Sequence, residues 1–447
     1  MGRMERYWLH YTSWKISLDF LRPRSFTCVI KDLHRKSNSN HPATLPAIMS
    51  DHNIVTVLRS YIDNNPVFRI AFKAAFKYAK SLNIEQLNDP RFGIETFDDY
   101  IDWYEQTLTW VPFEDKTGRF IYDQIVLFYF VIDLPPVKHF QTPILPDSHP
   151  PWRWLSQWLI DYAKSVGMWM NTSDSITQET LETFYNPLIQ DDWHMKDYPV
   201  PEGGWKTFND FFARNINPDV RPIDGSKDNK VIVQPADSVY GGCWPVDDLG
   251  YVTLKGLPWK ISQLLADVET GINYGDHFNG GIFTHSFLAP NDYHRQHAPV
   301  SGTVVEARVI QGLCYLEVVV EDHPDKPGVK VCKPLRHISP AHGEFYSTGI
   351  SAPDTPGYQF IQTRGLVIID NPVLGLVAVL PVGMAQVSSV NLTVKPGDVV
   401  EKGDEIGYFH LGGSDCVMVF EKKANVEFTA KLNVHYNYGN KVAVANF

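Results

Sequence analysis

Val394-Lys-Pro-Gly-Asp-Val-Val-Glu-Lys-Gly-Asp-Glu-Ile-Gly407 decides the fold of the second half of the chain. Two Gly-Asp pairs, Gly397-Asp398 and Gly403-Asp404, bracket the short apolar run Val399-Val400. Glycine reaches positive φ without a Cβ penalty, and Asp bonds its own turn backbone, so each pair marks a tight turn. Short strands joined by such turns predict a tight β-sandwich or barrel. Upstream, β-branched runs alternate with turns over 230–233, 302–309, 315–320, 366–369 and 376–380. The most apolar stretch, 372–387, is broken by Gly and Pro and is short for a membrane span, so it reads as buried strands.

Working back toward the N-terminus, the period changes. Ile54, Val57, Leu58 and Tyr61 share one face at helical spacing, and so do Phe68, Ala71, Phe72 and Ala75. Further helices are predicted over 97–108, 119–132, 152–169 and 175–185. The second is apolar all round and must stop before Pro135-Pro136. A loop with Pro199, Pro201, Gly203 and Gly204 precedes a short amphipathic helix over 205–214, closed by Pro218 and Arg221-Pro222. The expected fold is therefore α+β: a helical N-terminal domain over 51–204, then a β-rich domain over 205–447 with a barrel-sandwich-like C-terminal part. Residues 1–50 read as a poorly ordered basic extension, with eight Lys/Arg against three Asp/Glu.

Composition excludes several classes. With 44% hydrophobic and 20% charged residues among 447, the chain is neither wholly disordered nor collagen-like. A formal net charge of −11 gives no overall footprint for nucleic acid. Five cysteines, an odd number with no C-x-x-C pair, suggest neither a disulfide framework nor a zinc site. A cytoplasmic location is expected. The basic N-terminus leaves a mitochondrial or membrane-associated one as the alternative, and Met49 could be the true start.

Three short pieces could carry chemistry. Leu411-Gly-Gly-Ser-Asp415 offers a serine after two glycines, but Cys416 stands where a hydrolase elbow needs its last glycine. Read alone, it is a Gly-rich turn with a structural Ser. In Asn291-Asp-Tyr-His-Arg-Gln-His-Ala-Pro299, His294 and His297 are three apart, which on a helical turn puts both on one side. A metal pair is then conceivable, yet no third ligand is evident. Gln234-Pro-Ala-Asp-Ser238 places Asp237 at a strand end, where it is either a turn residue or the orienter of a His.

Taken with Phe208, Phe211, Phe212, Arg214, Arg221 and Pro222, these pieces resemble the phosphatidylserine decarboxylase family of pyruvoyl-dependent enzymes. The Tyr-His-Arg-x-His-x-Pro segment is matched by Tyr293, His294, Arg295, His297 and Pro299, followed by Gly302. The Pro-x-Asp segment is matched by Asp237, and the Gly-Ser cleavage site by Gly413-Ser414. The pieces occur in family order over roughly 205–430. The helical segments around Asn64-Asn65-Pro66-Val67 and 100–111 look like the extra domain of a soluble subgroup that includes tryptophan decarboxylases. Family members commonly carry Ser or Thr after the cleavage-site Ser; here it is Asp415.

The resemblance implies a proenzyme that cuts itself. Ser414 Oγ attacks the Gly413 carbonyl and replaces the peptide bond by an ester. Loss of the Ser414 α-proton then expels the upstream chain, and hydrolysis leaves a pyruvoyl group with release of ammonia. Removing carbon dioxide from an α-amino acid leaves electrons that no side chain can accept, and a carbonyl cofactor supplies the sink. The resemblance assigns His297 as the processing base, Asp237 as its orienter, and His294 as proton donor or carboxylate-positioning group in decarboxylation, a role that suits a His titrating near neutral pH. Gly412 and Gly413 suit a scissile carbonyl that must bend out of ordinary geometry.

The substrate expected from this resemblance is a free L-amino acid, aromatic and tryptophan-like, with phosphatidylserine and phospholipid biosynthesis as the alternative. Expected partners are that substrate and the large and small chains of one precursor, with no nucleic acid and no metal. Peripheral membrane contact and a homo-oligomer stay open. A rival of another class is a non-catalytic carrier, since Lys395-Pro-Gly-Asp and Lys402-Gly-Asp also suit a biotin- or lipoate-bearing hairpin. No matching modifiable Lys stands at its tip. A pyridoxal phosphate decarboxylase lacks a recognisable Schiff-base Lys.

Overall fold

The computed structural model describes residues 53–254, 256–334, 357–385, 389–411 and 413–446. The basic extension over 1–50 and Gly412 lie outside them.

The helices follow the sequence pattern. They are α1 (Ile54–Asn64), α2 (Pro66–Ser81), α3 (Phe97–Thr107), α4 (Phe120–Asp133), α5 (Trp154–Met170) and α6 (Phe208–Phe212). Pro66 opens α2, where its missing N–H costs nothing, and Phe68, Phe72, Ala75, Phe76 and Ala79 line the buried face. α4 is buried along almost its whole length, as an all-apolar helix must be, and ends one residue before Pro135. Its first N–H groups, on Phe120 and Ile121, donate to the Glu114 carboxylate. Capping boxes from Thr96 with Asp99 and Thr207 with Asp210 start α3 and α6. The Thr207 cap makes α6 shorter than the helix predicted over 205–214.

The strands are β1 (Ser238–Pro245), β2 (Ile282–Leu288), β3 (Arg295–His297), β4 (Gly302–Ile310), β5 (Arg364–Asn371), β6 (Gly375–Met384), β7 (Val390–Leu392), β8 (Val399–Val400), β9 (Glu405–Phe409), β10 (Gly413–Phe420) and β11 (His435–Tyr436). Eight of them form one antiparallel sheet in the order β8-β4-β5-β6-β10-β2-β1-β11. A small sheet, β7-β9-β3, stands beside it. The strand predicted over 315–320 begins later, at Val318, because Tyr315 and Leu316 are drawn into the core shared with the helices.

Central strands are buried on both faces, and alternate residues sort into two cores. Val417 and Val419 of β10 join Ala378, Leu380 and Val382 of β6 in the core shared with α1–α6. Cys416, Met418 and Phe420 join Val377 and Val379 in a second core behind the sheet. The change from helix to strand near residue 204 falls inside one unit, Ile54–Phe447.

The two Gly-Asp turns form as read. Gly397 and Gly403 have φ of 95° and 93°. Asp398 accepts from Lys395 N–H and Asp404 from Glu401 N–H, so both turns repeat one bond pattern.

Candidate active site

Ser414 is the second residue of β10, opposite Gly383 on β6 and Leu288 on β2. The ladder is in register through the Gly413–Ser414 bond, so Gly413 lies extended opposite Met384. Ser414 is paired on both sides and Gly413 on the β6 side, so the scissile bond sits within the strand ladder. Ser414 is fully buried and its Oγ has no hydrogen-bond partner. An unsatisfied buried hydroxyl costs about 1–3 kcal/mol, which marks the position for a role other than stability.

Alternation along β10 puts Ser414 on the face of Cys416 and Met418, toward the core behind the sheet. Ala236 and Ala298 belong to that same core, and each adjoins a polar site residue, Asp237 and His297. The second Gly-Asp turn holds His297: its Nδ1 donates to the Gly403 carbonyl at 2.7 Å. That fixes the tautomer and leaves Nε2 to accept from the Tyr293 hydroxyl at 3.2 Å. The ring stacks on Tyr438 with centroids 3.8 Å apart. Burial pushes the His297 pKa down to about 4 against the opposing pull of the Gly403 bond.

Asp237 does not orient His297 directly. Its carboxylate is taken by the Arg221 fork, with Nη2 at 2.6 Å, and by the Tyr438 N–H at 2.8 Å. The correction has a simple cause: a guanidinium binds a carboxylate through two parallel bonds, and a carbonyl already occupies His297 Nδ1. Burial raises the Asp237 pKa while Arg221 opposes the rise.

His294 and His297 do not share a face. Residues 295–297 form a strand rather than a helical turn, and an odd offset along a strand reverses direction. The paired-ligand reading of their spacing therefore fails. His294 is fully buried and stacks on Phe212 of α6, 4.0 Å between centroids, on the helical side. Its Nε2 lies 3.1 Å from the Pro290 carbonyl, and its Nδ1 has no partner. Burial pushes its pKa down to about 4, so it is neutral at pH 7 and does not titrate near neutrality as expected. Neither histidine bonds Ser414 Oγ in this chain.

Pro290 also lines a chamber. A cavity of about 290 Å³ is walled by Glu114, Gly118, Arg119, Tyr122, Trp193, Ala289, Asn291 and Lys333. Tyr122 and Pro290 also border a separate small void lined by Leu316, Met384 and Ala385. Met384 is the strand partner of Gly413. Burial raises the Glu114 pKa to about 8. A larger groove of about 840 Å³, between residues 146–152 and Arg364, touches none of the five site residues.

Sequence reasoning missed Glu114, Tyr438 and His285. His285 on β2 places Nε2 3.0 Å from Asp415 Oδ2, with both side chains buried. No motif marks these three; only the strand register and the packing of the helices bring them in.

The comparisons agree with this geometry. Residues 208–444, more than half of the chain, match the phosphatidylserine decarboxylase family. Decarboxylase iboD of Amanita muscaria is 29% identical over 284 residues, 59% of this chain and 76% of its own length. Phosphatidylserine decarboxylase proenzyme 2 of Oryza sativa is 32% identical over 247 residues, 55% of this chain but 34% of its own length. The Fusobacterium nucleatum proenzyme is 29% identical over 247 residues, 55% of this chain and 69% of its own length. With this match over most of the strand-rich half, the chain belongs to the phosphatidylserine decarboxylase family of decarboxylases, whose covalent pyruvoyl group forms from a serine by autocatalytic cleavage.

Proposed function

We propose that the chain decarboxylates a free L-amino acid with an aromatic, tryptophan-like side chain, after cutting itself between Gly413 and Ser414. The chamber at Pro290, whose carbonyl lies 3.1 Å from His294 Nε2, carries the reading. Its volume of about 290 Å³ suits one amino acid, and Tyr122 and Trp193 give its wall aromatic surface. Four of its walls, Glu114, Gly118, Arg119 and Tyr122, come from the helical part. Among the described residues no helix is long and apolar enough to cross a membrane. The alignment with the relative named decarboxylase iboD covers 59% of the chain, so it reaches beyond residues 208–444.

Ser414 fits the pyruvoyl precursor, since its Oγ is buried and unbonded at the scissile bond. The pyruvoyl group supplies the electron sink for decarboxylation. This chain's residues divide the remaining work. His297, tautomerically fixed by Gly403, keeps Nε2 unprotonated and serves as processing base. His294, neutral and anchored to the Pro290 carbonyl at the chamber wall, holds a proton on the substrate side. Arg119 and Lys333, paired with Asp123 and Glu321, are the cations lining the chamber that a substrate carboxylate would meet.

Phosphatidylserine is the second reading, favoured by the names of most relatives. The test is to mature the protein, confirm two chains by denatured mass, and assay free tryptophan, tyrosine and phenylalanine beside phosphatidylserine vesicles. Amine release from an aromatic amino acid supports the first reading. Turnover of vesicles alone replaces it with the second.

A further inference from the structure

Asp415 stands next to the scissile bond. Its carboxyl group is fully buried, and a buried polar group without an aligned hydrogen bond is retained at a cost. His285 Nε2 lies 3.0 Å from Oδ2, yet neither group makes a well-aligned hydrogen bond. Strand register brings them together: Val417 opposes His285, and Asp415, two residues before Val417, shares its face. Space for the imidazole exists because residue 241 is glycine; a Cβ there would come within 2.7 Å of His285 Nδ1. The pair is thus built into three adjacent segments of the sheet and is used by neither histidine of the site.

We propose that Asp415, held by His285, is a positioning residue for self-cleavage. The proposal rests on the reading that Ser414 cuts the chain. In the first step the Gly413 carbonyl carbon leaves the Ser414 nitrogen and bonds Ser414 Oγ, while the hydroxyl proton passes to that nitrogen. No atom is gained or lost, and the released amine takes up a further proton from the surroundings. An ester with a free amine is uphill from a peptide, so whatever stabilises the ammonium pulls the shift forward. Asp415 is bonded directly to Ser414, so its Cα is about 3.8 Å from the Ser414 Cα and its carboxylate is one residue from that nitrogen along the chain. A carboxylate that near an emerging cation favours its charged form. The His285 ring, 3.0 Å from Oδ2, holds the carboxylate in place.

The test follows cleavage rather than turnover. Fresh precursor of the parent, Asp415→Ser, Asp415→Asn and His285→Gln is chased by intact mass, with hydroxylamine added to cut any ester. Ser414→Ala is the uncut control. Asp415→Ser keeps the test open if another variant fails to fold. The expected result is cleavage slowed about tenfold or more in Asp415→Ser and His285→Gln, with a smaller hydroxylamine-sensitive fraction, as for loss of about 1.4 kcal/mol of stabilisation. Parent-like rates and ester fractions in folded Asp415→Ser and His285→Gln overturn the proposal and leave the pair a packing feature. Slow cleavage with an unchanged ester fraction also overturns it, since the pair would then act after the shift. A parent that never cleaves fails the underlying reading instead.

Discussion

The imidazole of His297 lies flat against the ring of Tyr438, and the backbone N–H of Tyr438 donates to Asp237. The carboxylate therefore reaches the histidine through a third residue. Tyr438→Phe keeps both the stack and the N–H, whereas Tyr438→Ala loses the stack. Aromatic stacking is worth about 0.5–1.5 kcal/mol, which is up to about tenfold in a rate. Precursor cleavage timed by denatured mass should be slower in Tyr438→Ala than in Tyr438→Phe. Equal rates in the two would remove Tyr438 from the link.

Arg221 and Asp237 are paired with side chains only 5% and 2% exposed. Removing one partner strands a buried charge. Asp237→Ala should lower unfolding stability by about 3–5 kcal/mol, and the double change with Arg221→Met should recover part of it. Urea titration of the Ser414→Ala precursor reads this directly, and two additive losses would show that the pair is not coupled.

The two histidines have different surroundings, His297 against Tyr438 and His294 against Phe212, and should separate by function. His297→Gln is expected to stay uncut. His294→Gln is expected to give two chains, yet to lose about 10²–10⁴-fold in decarboxylation rate. A His294→Gln precursor that fails to mature would mean that the two histidines are not independent.

Burial holds the pKa of both histidines down at about 4 in the folded chain, against an ordinary value of 6.5. Between those values the unfolded chain binds more protons than the folded one, so stability falls as pH drops through that window. Each histidine contributes on the order of 3 kcal/mol at pH 7, lost as pH approaches 4. Glu114 and Asp133, with pKa values raised by burial to about 8 and about 6, act in the opposite sense. The difference between the Ser414→Ala precursor and its His297→Gln variant isolates one histidine. That difference should narrow from pH 7 to pH 4, and a gap constant with pH would contradict the buried neutral imidazole.

What could be read from sequence was whatever is carried by local chain geometry. Gly397 and Gly403 announced the turns, and Pro135 the end of α4, because φ restrictions act within a few residues. Ser414, His297 and His294 were found through a motif. Their grouping was not, because it depends on register: residues 294 and 297 read as one face under a helical period and as two under a strand period. The Arg221–Asp237 pair and the Glu114 chamber lie further out of reach. Arg221 is 16 residues from its partner, and Glu114 is 219 residues from Lys333, which lines the same chamber. Contacts of that kind follow from how the layers pack, and nothing in a local pattern encodes them.

Glu114 gives the chamber a pH dependence of its own. Its pKa of about 8, raised by burial, keeps it protonated at pH 7, where it adds no negative charge beside Arg119 and Lys333. Above pH 8 it ionises, and a second anion then shares the chamber with the substrate carboxylate. KM for the amino acid should rise with pH through that range while kcat changes less, because the repulsion acts on binding. Glu114→Gln keeps an uncharged side chain at every pH, and its amide oxygen can still accept from the α4 terminus. The alkaline rise in KM should vanish in that variant. The measurement is KM against pH from 6.5 to 9.5 for both proteins, and an identical rise in the two would take Glu114 out of substrate binding and leave it a cap of α4.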